Sequence, residues 1–280
     1  MAATEAKITL NINGTEAVGH NPLVVNHSTM VPIRSVSLLP NVKVDWNNKT
    51  KTVIITDTET KDILRITIGN KTALAGSNKV TLDTPATIIE GSTYVPFRFI
   101  GEALGAYVQW DAESKTVIII RTDNTLTNAL DSGNMVEMRN AALKLPRISL
   151  GETLPPSEEG GAGGNYYFRY GESKSFLYLY RGKAEYYEVK NGASWLSWEG
   201  QISSTEGDGE DLIPNIVPSI GKEWGIRPVF EGKVNYFMEL WKIGEVRYGT
   251  YDEQGNIIFE NVKPYTDGQM DIIAEIPDET

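Results

Sequence analysis

The side chains of this sequence that could do chemistry are aromatic rings and carboxylates. Tyr166, Tyr170, Tyr178, Tyr180, Tyr186, Trp195 and Trp198 fall within 33 positions. Set on a flat sheet, rings at this density make a stacking platform for pyranose faces. The competing reading is a sheet core with tyrosine hydroxyls at its rim, because exposed apolar patches are limited to a few hundred Å2. From the platform reading, Tyr178, Tyr180, Tyr186, Trp195 and Trp198 are the candidate binding residues. Asp208, Glu210 and Asp211, with Gly207 and Gly209, offer oxygen ligands of the kind calcium takes, but their spacing departs from the EF-hand loop and lacks its terminal Glu. Paired acids for glycoside hydrolysis are available, yet no spacing singles out an acid and a nucleophile. His20 and His27 are the only histidines, and as a copper or nickel pair they lack a nearby third ligand. With no cysteine, thiolate zinc sites, iron–sulfur clusters and cysteine nucleophiles are excluded together. No phosphate-binding glycine loop, Gly-x-Ser-x-Gly or His-Glu-x-x-His occurs. The sequence therefore assigns no catalytic residue and no cofactor.

The elements that must position these residues divide the 280-residue chain by charge. Residues 1–122 hold 12 Lys/Arg and 11 Asp/Glu, a net of +1, and residues 123–280 hold 14 and 26, a net of −12. Aromatic residues follow the same split, 6 against 20. An overall charge of −11 argues against a nucleic-acid partner. No run approaches the roughly 18–20 apolar residues of a membrane helix, so no insertion is expected. Between the halves, Leu126 to Leu145 shows helical spacing broken at Ser132-Gly133 and stopped by Pro146, which predicts a helical connector over 123–150. Gly151 to Gly164 reads as a linker or long loop. From Asn165 onward the pattern alternates as strands: a three-strand meander from Tyr166 to Val189, then Val234 to Trp241, Glu245 to Tyr251 and Ile257 to Val262, with an acidic loop over Gly200 to Gly221. The expected domains are thus 1–122, a connector over 123–150, and an acidic, aromatic, β-rich domain over 151–280.

The first domain contains a repeat. Residues 28–55 and 92–119, 64 positions apart, share Ser-Thr-x-Val-Pro-x-Arg, then Val-x-Trp, then Lys-Thr-Val-Ile-Ile. In each copy the proline ends an extended segment. Phe97 to Leu104 follows as a short helix with Gly105 placed to stop it in the left-handed conformation. Two strands come next. In the first copy Pro40 interrupts, so its helix should be shorter. Hairpins upstream complete each copy, through Asn13-Gly14 in the first and near Gly69-Asn70 and Gly76-Ser77 in the second. The expectation is an α+β fold: a duplicated small antiparallel sheet wrapped round a short helix, then a connector helix and a β-rich C-terminal domain. Trp46 and Trp110 should be framework residues that bury their indoles, since each ring removes 150–250 Å2 from water.

These motifs, Val31-Pro32-Ile33-Arg34 and Val95-Pro96-Phe97-Arg98 with Gly105-Ala106-Tyr107-Val108-Gln109-Trp110-Asp111, resemble the copper amine oxidase N-terminal-like, or stalk, domain over about residues 6–122. Asn41-Val42-Lys43 departs from the Gly-Ala usual there. The resemblance implies antiparallel strands curled round a helix, in secreted or envelope-associated proteins of Gram-positive bacteria. It makes Val31, Pro32, Arg34, Trp46, Val95, Pro96, Arg98, Gly105 and Trp110 structural motif residues. It does not imply amine oxidation, which needs three copper-ligating histidines and a quinone-forming tyrosine within Asn-Tyr-Asp/Glu. The expected role is a non-catalytic, secreted or wall-associated protein with its signal peptide removed. In it the first domain is a scaffold and the last binds a cell-wall or environmental polysaccharide or another surface protein. The alternative is a polysaccharide hydrolase using two acids of the C-terminal domain.

Overall fold

The computed structural model describes residues 7–151, 153–155, 164–202, 220–265, 272–277 and 279. The architecture is α+β, with strands dominating over a few short helices. The chain divides into two compact units, Met1–Asp123 and Asn124–Thr280.

In the first unit the two 64-residue-spaced segments take the same order of elements. A strand (Ser28–Pro32; Ser92–Pro96) leads into a short helix (Ile33–Leu38; Phe97–Leu104) and then two strands (Val42–Asn47 and Thr52–Asp57; Tyr107–Asp111 and Thr116–Ile120). The first helix is a six-residue 3-10 turn and the second an eight-residue α-helix. Pro40 accounts for the difference, because the residue before a proline is driven out of the helical region, and Leu39 is extended at φ −73°, ψ 142°. The second helix runs on to Gly105, which closes it in the left-handed conformation at φ 61°. The two Val-Pro strands pair antiparallel with Val31 opposite Val95, Met30 opposite Pro96 and Pro32 opposite Tyr94. The segments therefore meet about a local two-fold.

Thr116–Ile120 lies between Tyr107–Asp111 and Thr9–Ile12, the latter parallel to it. Thr52–Asp57 instead joins a five-stranded antiparallel sheet through Ile63–Thr67, Thr72–Ala75 and Asn78–Thr81. One apolar cluster that includes Leu10, Val31, Val53, Val95, Ile100 and Val117 fills the unit. Arg121 ties the segments together: it donates to the carbonyls of Leu104 and Pro40 and pairs with Asp57.

Trp46 and Trp110 do not bury their indoles as expected; they remain 43% and 38% exposed. Each stands opposite a core valine, Val53 and Val117 respectively, so its side chain is on the apolar side of its sheet. Both strands are outermost in their sheets, however, and no further strand covers the ring.

The second unit opens with helices Asn124–Leu130 and Met135–Lys144, the second capped by the Asn134 side chain, which accepts from the Glu137 N–H. They are followed by a nine-stranded sheet. Its order is Arg147–Ile148, Ala193–Ile202, Lys183–Lys190, Ser175–Tyr180, Asn165–Arg169, Val234–Leu240, Glu245–Tyr251 and Ile257–Pro264, with Ile220–Gly225 also paired to Ala193–Ile202. Only Arg147–Ile148 runs parallel to its neighbour. The strands thus carry past Gly200 to Ile202 and resume at Ile220, where a loop was expected; residues 203–219, with Asp208, Glu210 and Asp211, lie outside the described residues. So do residues 152 and 156–163 of the linker read over Gly151–Gly164.

Alternation gives the sheet two apolar faces. Tyr167, Leu177, Trp198, Tyr236 and Tyr251 cluster on one. Phe168, Phe176, Tyr187 and Phe237 cluster on the other, with Ala142 of the second helix and Ile272, Ile273 and Ile276. The same alternation sends the adjacent rings of Tyr186 and Tyr187 to opposite faces, and the register shift there leaves Ser197 of the facing strand unpaired. Arg139 and Glu279, each 1% exposed at the side chain, pair bidentately at 2.5 and 2.6 Å and tie the helix to the C-terminal segment.

Candidate functional site

The face that carries the second helix also carries a ladder of tyrosines. Tyr166 of Asn165–Arg169 lies directly opposite Tyr178 of Ser175–Tyr180, and their rings stack with centroids 4.6 Å apart. Tyr178 and Tyr180, two positions apart on one strand, stack at 5.8 Å and 11°. Where the helix ends, at Leu143–Leu145, these rings line an open groove of about 730 Å3 with Arg147, Glu239 and Trp241. Trp241 is 49% exposed, so an indole face is available to a ligand. Gly164 borders the groove, and a Cβ there would stand 2.8 Å from the Tyr178 ring.

Arg147 is the unusual member. Its guanidinium carbon lies 4.5 Å from the Tyr178 ring centre and 5.1 Å from that of Tyr187. It donates one long bond, 3.5 Å, to the Tyr166 hydroxyl. Burial works against its charge, but the oxygens of Tyr166 and Tyr187 outweigh burial and raise its pKa. Burial pushes the Tyr178 hydroxyl up as well, which keeps it a neutral donor. The carboxyl of Glu239 is raised above the usual range by burial, against the weak pull of the Gly164 N–H at 3.4 Å. The groove thus offers ring faces, hydroxyl donors, a fixed cation and a carboxyl biased toward its neutral form. Such a set suits a polyhydroxylated ligand, with rings for its apolar faces and planar polar groups for its hydroxyls.

Of the residues expected to bind, the structure brings Tyr178 and Tyr180 together and places the other three elsewhere. Tyr186 is buried, with its hydroxyl accepting from Arg169 at 3.1 Å. Trp195 is buried and donates to the Lys190 carbonyl at 2.9 Å. Trp198 is fully buried and donates to Glu223 at 3.1 Å. A stacking platform through these three rings is therefore replaced by the core reading. The groove's other chemistry, Arg147, Glu239 and Trp241, was missed from the sequence. Only Trp241 left a signal there, as an aromatic residue at the end of a predicted strand.

In the first unit, Pro96, Arg98 and Trp110 border a smaller hollow of about 210 Å3 with His27 and Asp83. Arg34 donates to the Ser92 hydroxyl at 2.7 Å, a bond between the two repeats. Val31 and Val95 are wholly buried at their pairing point. Among the described residues no three side chains of metal-ligating type come together.

The first unit thus shows the strand–helix–strand–strand order twice, with Val31 and Val95 buried where the two segments pair. Residues 11–119 match the family model of the copper amine oxidase N-terminal domain, and the match ends before the second unit. Searches of curated proteins and of solved structures give no match. That family is compatible with a non-catalytic stalk domain. No helix among the described residues is long and apolar enough to cross a membrane.

Proposed function

We propose that the protein is a non-catalytic saccharide-binding module in which the second unit binds through the tyrosine-lined groove and the first unit is a scaffold. The observation that carries this reading is the convergence of stacked Tyr166, Tyr178 and Tyr180 with the half-exposed Trp241 round one groove. The resemblance of the first unit to stalk-type domains supports placing the protein outside the cytoplasm, secreted or held at the cell wall. The test is retention of the intact protein on insoluble peptidoglycan, cellulose, xylan, chitin and pectin, with reducing-sugar release followed in the same tubes. Wild type should be retained on at least one polymer without releasing sugar. Trp241→Ala should lose about tenfold or more in affinity, since an aromatic anchor is worth at least 1–2 kcal/mol of binding. No retention on any polymer would overturn the reading.

A second reading, hydrolysis, has one observation in its favour: the raised pKa of Glu239 suits a general acid. Glycoside hydrolysis needs a second carboxyl about 5–9.5 Å away, and Glu239 is the only carboxylate among the described residues that line the groove. Sugar release that disappears in Glu239→Gln would establish this reading in place of the first.

A further inference from the structure

Resting on the saccharide-binding reading, we infer that the ligand of this groove carries a carboxylate and that Arg147 receives it, so the natural target is a uronic-acid-containing glycan. The second unit is strongly acidic, with 14 Lys/Arg against 25 Asp/Glu over residues 124–280, a net of −11. The groove has the opposite sign. Lys144 and Arg147 line it. Arg181 stands 5.0 Å over the ring of Tyr180, and Lys242 5.9 Å over that of Trp241, both rings of the lining. Among the described residues, Glu239 is the one carboxyl of the lining itself, and Glu185 stands across from Tyr178 on the neighbouring strand.

Within this set Arg147 has the geometry of a receptor. A guanidinium presents five donors in a planar fork that fits a carboxylate with two parallel bonds. Ring faces hold this one in place, and it donates a long hydrogen bond of 3.5 Å to the Tyr166 hydroxyl. Of the nearby carboxylates, Lys183 holds Glu185 at 2.9 Å and Glu199 at 2.6 Å, and Glu185 also accepts from the Tyr187 hydroxyl at 2.9 Å. No carboxylate among the described residues forms an ion pair with Arg147. A half-buried cation with no carboxylate partner among the described residues is costly to keep, and a ligand carboxylate would supply a counter-ion between the same rings that stack its sugar.

The experiment compares trigalacturonate with its fully methyl-esterified form, which has the same rings and hydroxyls without the charge, by titration calorimetry on the intact protein. Wild type should bind the acid roughly tenfold or more tighter than the ester, as expected for charge-assisted hydrogen bonds. Raising salt from about 20 to 500 mM should shrink that preference several-fold. Arg147→Gln should bring the two affinities together, and Arg147→Lys should keep part of the difference. Should Arg147→Gln fail to fold, the exposed pair Arg181→Gln/Lys242→Gln and the salt series on wild type decide the matter, each expected to cut the preference about threefold. Equal affinity for acid and ester would overturn the inference and leave the saccharide reading standing. Binding to neither trisaccharide overturns the inference alone if the protein is still retained on a polymer, and both readings if it is not.

Discussion

Replacing Glu279 by Gln should be among the most damaging single substitutions in the second unit. Glu279 accepts from both guanidinium nitrogens of Arg139 at 2.5 and 2.6 Å and from the Gly171 N–H at 2.7 Å. With 1% of either side chain exposed, neither charge has water to fall back on. Glutamine removes the negative charge and turns a donor toward Arg139. Breaking a buried pair from one side costs about 3–5 kcal/mol because it strands the other charge. Arg139 keeps a bond to the Glu172 carbonyl at 2.9 Å and its place 4.9 Å over the Phe168 ring. Those contacts return about a third of the loss, leaving about 2–3 kcal/mol. At a urea m-value of about 2 kcal/mol/M, that moves the unfolding midpoint by about 1–1.5 M. The assay is urea unfolding followed by tryptophan fluorescence in a Trp46→Phe/Trp110→Phe background, so that the signal comes from the second unit alone. The double variant Arg139→Met/Glu279→Met should recover most of the loss, since an apolar pair of similar volume replaces two buried charges. A cost under about 1 kcal/mol for Glu279→Gln, or a double variant no better than the sum of the singles, would refute the argument.

Three further outcomes follow from the packing and charges. Asp57 is held below the ordinary carboxylate range: burial would raise it, but the N–H groups of Glu59 and Thr60 and the Arg121 guanidinium outweigh burial. Its contribution is therefore present above the unfolded pKa and lost as pH falls through the folded one, so Asp57→Asn should cost about 2 kcal/mol at pH 7 and progressively less in acid, read as Tm against pH. Glu239 has the opposite sign, raised by burial. Stability is lost as pH rises through its folded pKa, so Glu239→Gln should raise the Tm at pH 7 and leave it unchanged near pH 3. Gly101→Ala, which on helix propensity alone would gain up to about 1 kcal/mol, should instead cost about 1–3 kcal/mol. A Cβ at position 101 meets Val108 side-chain carbons at 2.6 and 2.8 Å and the Ala106 carbonyl oxygen at 2.9 Å, and thermal unfolding of the first unit would show the loss.

What the sequence determined by itself was local and covalent in origin. Proline fixed the ends of Ser28–Pro32 and Ser92–Pro96 and cut short the first helix at Leu38, because its ring acts on the residue beside it. Asn13 and Gly14, both at positive φ, made the first hairpin, and Gly105 ended the second helix, because these residues reach the left-handed region at little cost. Period-two alternation placed Phe176, Tyr178 and Tyr180 on one face and Leu177 and Leu179 on the other. The tertiary structure decided the rest, because burial depends on what lies across a sheet and beyond its edge. Trp46 and Trp110 share a motif typical of core residues, yet outermost strands leave them exposed. The register shift opposite Tyr186 and Tyr187, which leaves Ser197 unpaired, comes from how the two strands meet and leaves no mark in the alternation. Trp195 and Trp198 are core while Trp241 meets solvent, although all three lie in or beside strands of one sheet. Arg147 stands 19 residues before Tyr166 and 31 before Tyr178 in the chain. Only the pairing of Arg147–Ile148 with the far strand Ala193–Ile202, and the antiparallel return of the meander, brings its cation over those rings, since contact between distant residues is set by strand order and not by spacing along the chain.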